Sequence, residues 1–352
     1  MKELIIEGKN GKSRILTGEC IENLENYFPG KNVIFITDEN VKRLYPGVFE
    51  NKPVIVTGTG EKIKTLDTVS MIYEKLLEAR ADRSFFIVGV GGGIVCDIAG
   101  FAASTYMRGL RFGLVPTTLL AQADAGIGGK NGVNFMGYKN LVGLFSQPGV
   151  IICANGFLRT LPGKEVLCGM GELVKYAVLS GEKMFTFLRD NYEKLLNLED
   201  EAVDHIVMES LLIKSEIVNR DERESGERMK LNLGHTTAHA IEKIDSTISH
   251  GEAVAAGLKM AAIISYQQGK TGIDTCQKIF DLVDRLGIKD ISGLSASSIK
   301  DAMLHDKKRD GDFINYVMIS DIGNTEIVRT GIGTLHRWID SAIPLLNKNR
   351  IE

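Results

Sequence analysis

The chain has 352 residues, 44% hydrophobic and 25% charged, with a formal net charge of -3; this is ordinary soluble-protein material, enough for a sizeable core and, by length, for about two domains. The mild acidity excludes a broadly basic nucleic-acid surface, and no apolar run is long enough to span a bilayer, so neither nucleic acid nor membrane is an expected partner. Five cysteines at 20, 96, 153, 168 and 276, odd in number and without a Cys-x-x-Cys pair, and an opening MKELIIEG that lacks a signal peptide's apolar core, point to reduced thiols in the cytoplasm.

From the N-terminus, VIFIT (33–37), VIVT (54–57) and FFIVGV (85–90) are short Val-, Ile- and Phe-rich runs that predict buried strands. Between the last two, Leu66, Val69, Tyr73 and Leu76 recur at helical spacing. Phe112–Val115 and Val150–Cys153 predict further strands. This β-α-β alternation predicts a parallel sheet covered by helices. From Glu165 to about Leu286 helical periodicity dominates, with polar breaks at 221–226 and 292–295. Val254–Ser265, interrupted only by Lys259, reads as a buried core helix. Phe313–Ile319 and Glu326–Val328 predict two strands before a final helix. The expected fold class is α/β: a Rossmann-like parallel-sheet domain at about 1–155 and a mainly α-helical domain at 156–352.

Chemistry-bearing residues punctuate this frame. Glu61 and Lys64 lie just past the strand VIVT, where ligands bind in open α/β sheets; alternatively they form an exposed i,i+3 ion pair. Gly89-Val-Gly-Gly-Gly-Ile-Val-Cys-Asp97 follows a strand and opens a helix. Glycines there let backbone N–H groups approach an anion, and a dinucleotide pyrophosphate is the natural guest, although such turns also serve packing alone. The hydroxyls of Thr117 and Thr118 could bond a ribose or phosphate, or cap a helix at Leu119–Ala123. Asp124 to Lys130 and Gly137 to Asn140 are expected to form a loop region, with seven glycines between 126 and 149. Glycine density favours a ligand loop, in which Lys130, Lys139 and Asn140 suit phosphate oxygens.

Glu172 and Lys175 share a helix face at i,i+3, and His235 and His239 share another at i,i+4. With His250, three of the six histidines fall in one short stretch. Two histidines and a carboxylate are the donor set of a catalytic zinc or similar ion, although His pairs at this spacing are also common on plain helices. Lys214, Arg228 and Asn232 precede this stretch. Arg228 reads either as a pocket cation or as a surface partner of Glu224 or Glu227. Asp306-Lys307-Lys308 ends a predicted helix, where cations also suit the dipole.

Taken together, GGGIVCDIAGFAASTYMRG, PTTLLAQADAGIGGKNGVN, KNLVGLFSQP, GELVKYAV, ERMKLNLGHTTAHAIE, HGEAVAAG and DKK resemble the 3-dehydroquinate synthase family in order and spacing, over about residues 55–330. The resemblance implies an N-terminal NAD-binding domain and a C-terminal domain holding one divalent metal, zinc or cobalt. It places the metal ligands on Glu172, His235 and His250. It places NAD contacts on Glu61, Lys64, Gly92, Gly93, Asp97, Thr117, Thr118, Lys130, Lys139 and the segment containing Phe157 and Thr160. Substrate contacts fall on Arg108, Asp124, Lys130, Asn140, Lys175, Lys214, Arg228, Asn232, His239 and Lys307. In the family the residue matching Arg108 reaches the neighbouring subunit's site, which implies a homodimer. Ala238, Ala154 and Asn131 depart from the usual Gly, Asp and Thr.

The implied substrate is 3-deoxy-D-arabino-heptulosonate 7-phosphate, and the implied pathway is shikimate and aromatic amino-acid synthesis. Transient oxidation by NAD, phosphate elimination, re-reduction and aldol closure would give 3-dehydroquinate, with NAD unchanged. Lys130, Asn140, Asn232, His239 and Lys307 would take the phosphate, and Lys214 and Arg228 the carboxylate. Two alternatives share the scaffold. A metal-dependent polyol or glycerol dehydrogenase would not need this set of cations. A 2-deoxy-scyllo-inosose synthase-like cyclase acts on a substrate without a carboxylate, so Lys214 with Arg228 argues against it.

Overall fold

A computed structural model of the chain describes residues 1–8, 11–288, 294–303 and 309–348. Lys307 and the tripeptide around it lie outside the described residues. Two compact units are present: Met1–Val166 with Leu198–Arg223, and Leu167–Asn197 with Glu224–Glu352.

The first unit is organised on a sheet of β1 (Lys2–Gly8), β2 (Gly11–Thr17), β3 (Val33–Asp38), β4 (Val54–Thr57), β5 (Phe86–Gly91), β6 (Arg111–Pro116) and β9 (Val150–Cys153), with β7 (Lys130–Phe135) and β8 (Tyr138–Phe145) forming a separate hairpin. The spatial order is β1-β2-β9-β6-β5-β3-β4. All neighbours are parallel except β1 and β2. The predicted strands therefore pair as a doubly wound sheet, and β5 is buried at every position, which is why its sequence runs apolar without alternation. Strand order reverses between β3 and β5. In such sheets ligands bind outside the carboxyl ends of the strands at that switch, and here the turn after β5 is Gly92-Gly93.

Helices α1 (Glu39–Leu44), α2 (Leu66–Glu78) and α3 (Gly93–Thr105) complete the βα units. Thr65 caps α2 by accepting the Thr68 amide, and the buried stripe is Val69, Ile72 and Leu76. Leu66, expected on that stripe, is exposed, because it opens the helix before the stripe begins. The opening β1–β2 hairpin was not predicted; in β1 only Ile6 is fully buried, so the edge strand carries little apolar signal. The glycine-rich segment expected to be a loop is in large part the β7–β8 hairpin. Its two-residue turn is Met136-Gly137, both at positive φ (48° and 81°) as a primed hairpin turn requires. The helix expected at Leu119–Ala123 continues as a π-helical turn over Ala121–Ala125.

Beyond α4 (Gly163–Ser180) the helices are α5 (Glu182–Asp190), α6 (Tyr192–Leu196), α7 (Asp200–Arg220), α8 (His235–Ile244), α9 (His250–Gln267), α10 (Ile273–Asp284), α11 (Ala296–Met303) and α12 (Ile332–Lys348). Helix α7 belongs to the first unit, where it packs on β1 and β2. In the second unit β10 (Arg309–Asp310), β11 (Phe313–Asp321) and β12 (Asn324–Gly331) form an antiparallel sheet. As its sequence predicts, α9 is a core helix, buried from Ala253 to Ser265. Its Lys259 is buried through an ion pair with Asp284, with Nζ 4.7 Å from the Phe280 ring centre. Among the described residues no helix is long and apolar enough to cross a membrane.

Candidate active site

In the second unit, α4 supplies Glu172, α8 opens on His235 and α9 opens on His250. The three meet because backbones touch beside each of them. A Cβ on Gly171 would lie 2.2 Å from the Gly251 carbonyl oxygen, and one on Gly257 would lie 2.1 Å from that of Gly234. Only glycine permits both helix contacts. Ser249 starts α9 with a capping box: its Oγ accepts the Glu252 amide, and Glu252 Oε2 accepts the Ser249 amide at 2.8 Å.

Glu172 Oε1 lies 3.3 Å from His235 Nε2 and 3.2 Å from His250 Nε2, and one donor atom from each residue falls within 4.8 Å of the others. Ligands about 2.0–2.1 Å from a tetrahedral ion stand roughly 3.3 Å apart. The set therefore fits a divalent metal of the zinc or cobalt kind. The far nitrogens are also fixed. His235 Nδ1 meets the Leu233 carbonyl at 3.1 Å, and His250 Nδ1 meets Glu242 Oε2 at 3.4 Å. Both partners only accept, so each Nδ1 donates and both rings are held with Nε2 turned toward Glu172, where a metal would take the place of a proton.

Electrostatics reinforce this arrangement. Burial alone would push the Glu172 carboxyl up, but Lys175, ion-paired with its second oxygen, and the two histidines outweigh burial and hold it well below the usual carboxylate range. Burial works against a charged His250, yet Glu172 and Glu242 on either side push its pKa up to about 9. The centre thus strongly favours a cation in the place where the two Nε2 atoms converge. His239 follows on α8 with its ring perpendicular to that of His235, centroids 5.6 Å apart. Arg228, on the turn Glu227–Asn232, is 1% exposed, so it is not a surface side chain. Asn232 donates to Glu224.

In the first unit Gly92, Gly93 and Thr117 follow the carboxyl ends of β5 and β6, and the other sequence candidates lie on helices, turns and the β7–β8 hairpin. Lys64 is buried and ion-paired with Asp97 on α3. Burial raises the Asp97 carboxyl and Lys64 draws it back. Gly92 caps α3 and Gly93 is its first residue. Thr117 is buried after β6, and Thr118 Oγ1 accepts the Ala121 amide at 3.1 Å, so the capping role is filled. Lys214, on α7, donates to Asp124 Oδ1 at 2.7 Å and to its carbonyl at 2.8 Å. Lys130 begins β7, and Lys139 and Asn140 sit on β8. Phe157 is buried in the core, and Tyr45 Oη bonds both its carbonyl and Thr160 Oγ1. Arg108 is exposed on a turn where it and Met107 both take positive φ (69° and 50°).

Three residues join these groups that are not among the expected site residues, although the sequence offers Glu224 as a surface partner of Arg228. Glu242 follows His235 by two helical turns, a spacing that could have found it. Glu224 contacts Asn232 from a left-handed position (φ 59°). Asn134 bonds Glu61 at 2.7 Å and the Asn140 amide at 2.8 Å; no sequence pattern marks it.

Comparison with known proteins agrees with this layout. Residues 54–168 match the family model for the 3-dehydroquinate synthase N-terminal region, and residues 169–309 match that for the C-terminal region. The chain is 42% identical over 272 residues to the 3-dehydroquinate synthase of Geotalea uraniireducens (strain Rf4), covering 76% of this chain and 75% of that protein. It is 38% identical over 312 residues to that of Desulforamulus reducens, covering 85% and 87%. A crystal structure of 2-deoxy-scyllo-inosose synthase with carbaglucose-6-phosphate, NAD+ and Co2+ superposes with a TM-score of 0.83 at 26% identity, covering 97% of this chain and 100% of that one.

Proposed function

The chain belongs to the 3-dehydroquinate synthase family, and from that membership we propose that it converts 3-deoxy-D-arabino-heptulosonate 7-phosphate into 3-dehydroquinate and phosphate in the shikimate pathway. When bound, NAD takes up and returns one hydride, and a divalent zinc or cobalt ion acidifies the hydroxyl that is oxidised. Glu172, His235 and His250 would hold the ion, with Lys175 offsetting the carboxylate's charge. The loops after β4, β5 and β6, with Lys139, take the nucleotide. Lys130, Asn140, Asn232 and His239, with Lys307, take the phosphate. Arg228 and Lys214 take the carboxylate, Arg228 through its planar fork.

This reading includes a cytoplasmic homodimer in which Arg108 serves the neighbouring copy. What supports Arg108 in that role is its exposure on a turn held in a costly left-handed conformation, the kind of strain that gathers at functional positions.

The observation that carries the proposal is the Glu172–His235–His250 cluster in the same unit as a buried Arg228: an ion site for hydroxyl activation together with a fixed cation for an acid. A polyol dehydrogenase has no use for the second. The test supplies purified protein with NAD, a divalent metal and the heptulosonate phosphate. Phosphate and 3-dehydroquinate should appear together without accumulation of NADH. Stoichiometric NADH from a simple polyol, with no phosphate released, would overturn the reading. A second reading, a cyclase acting on a neutral sugar phosphate, draws on the likeness to 2-deoxy-scyllo-inosose synthase; turnover of glucose 6-phosphate in place of the acid would establish it.

A further inference from the structure

The β7–β8 ladder is regular from Lys130 opposite Phe145 to Val133 opposite Val142, and then slips, so that Phe135 faces Tyr138. Lys139, Asn140 and Leu141 are left facing Asn134 alone. Bulges of this kind release backbone groups from the ladder and re-aim side chains. Asn134 takes up the released groups. Its amide donates to the Lys64 carbonyl at 2.8 Å. Its side-chain nitrogen donates to Glu61 Oε1 at 2.7 Å. Its Oδ1 accepts the amide of Asn140 at 2.8 Å. Asn140 itself is left-handed (φ 51°), a conformation asparagine adopts more readily than most residues. One side chain and its own amide thus join the segment after β4 to the bulge that displays Lys139 and Asn140. Through the Lys64–Asp97 ion pair the same connection reaches α3.

We propose that Asn134 is a positioning residue that makes nucleotide binding and phosphate binding reinforce each other. Fixing Glu61 and Lys64 around a nucleotide fixes Asn140 for a phosphate, and the reverse follows by linkage with the same factor. The proposal rests on the reading above, in which Glu61 and Lys64 meet NAD and Asn140 meets phosphate.

The test is calorimetry on the metal-loaded, full-length protein. NAD is titrated with and without saturating inorganic phosphate, and inorganic phosphate with and without NAD. In the unsubstituted protein each ligand should tighten the other by one common factor of about five or more. In Asn134→Ala that factor should fall to about one. Asn134→Asp keeps the acceptor for Asn140 but sets a second carboxylate against Glu61. There NAD should weaken about tenfold, phosphate should weaken as well because the new charge lies beside Asn140, and the coupling should vanish. The factor is a ratio within one protein, so a merely loosened fold, which weakens both ligands alike, leaves it unchanged. An unchanged factor in Asn134→Ala, or none in the unsubstituted protein, overturns the proposal. An unsubstituted protein that binds neither ligand overturns the functional reading and this inference with it, a result distinct from binding without coupling.

Discussion

Each donor of the second unit's triad stands beside a glycine whose backbone touches another backbone, whereas the candidate residues of the first unit are held mostly by side-chain hydrogen bonds and ion pairs. Glu172 follows Gly171, His250 precedes Gly251, and His235 follows Gly234. In the first unit Lys64 leans on Asp97, Lys214 on Asp124, and Asn140 on Asn134. The difference sets how each region fails. Backbone contact between helices leaves no room for an extra carbon, so it fails as a whole. Side-chain ties can be lost one bond at a time.

Gly251→Ala should have the largest effect. The added Cβ would sit 2.0 Å from the Cys168 carbonyl oxygen, and overpacking of this severity costs about 3 kcal/mol or more. Elemental analysis should find no bound metal, and Tm should drop; retained metal at a normal Tm would break the comparison. His235→Ala comes next, because it removes one donor and leaves the helix contacts alone. Metal affinity and activity should be lost while Tm in the presence of EDTA matches that of the unsubstituted protein under the same chelation. EDTA itself should abolish activity reversibly. If metal content and activity both survive the change, His235 is not a ligand.

Arg228→Lys keeps the charge and loses the fork. Losing one charge-assisted bond costs about 1.5–3 kcal/mol, so kcat/KM for the heptulosonate phosphate should fall roughly ten- to a hundredfold, with NAD and metal binding nearly unchanged. Near-normal turnover would favour the neutral-substrate cyclase. Glu242→Gln weakens the acceptor behind His250 and should lower metal affinity about tenfold, read by competition with a chromophoric chelator. Gly137→Ala should be the mildest. Nothing lies within 4 Å of a Cβ there, so the cost is only the left-handed backbone, about 1 kcal/mol, measured by chemical denaturation, with metal content unchanged.

The parallel strands were legible because full burial writes itself as uninterrupted Val, Ile and Phe; VIVT and Val150–Cys153 match β4 and β9 residue for residue. The edge hairpin and the β7–β8 pair were not, since β1 buries little and the first residues of β8 are exposed. The donor types were legible, but spacing alone did not choose among His235, His239 and His250. The structure groups His235 with His250 and Glu172, the set that the family resemblance implied; spacing could not show it, because the grouping depends on Gly234 packing against Gly257 of α9 and Gly251 against Cys168 of α4. Burial of Arg228 depends on tertiary packing that its charged neighbours Glu224 and Glu227 obscure. Asn134 acts through a register slip, and a slip has no composition.

The path of α7 bears on how such a chain can be inherited. The polypeptide leaves the first unit at Leu167, re-enters it at Leu198 and leaves again at Glu224. Neither unit is a contiguous stretch of the gene. A segment ending at residue 166 would encode the sheet without the helix that packs on β1 and β2, and would lack Lys214, the partner of Asp124. Recombination that exchanges whole cassettes cannot trade one unit for a relative's without also dividing the other. The two units are interleaved in sequence, so a crossover at any single point divides at least one of them.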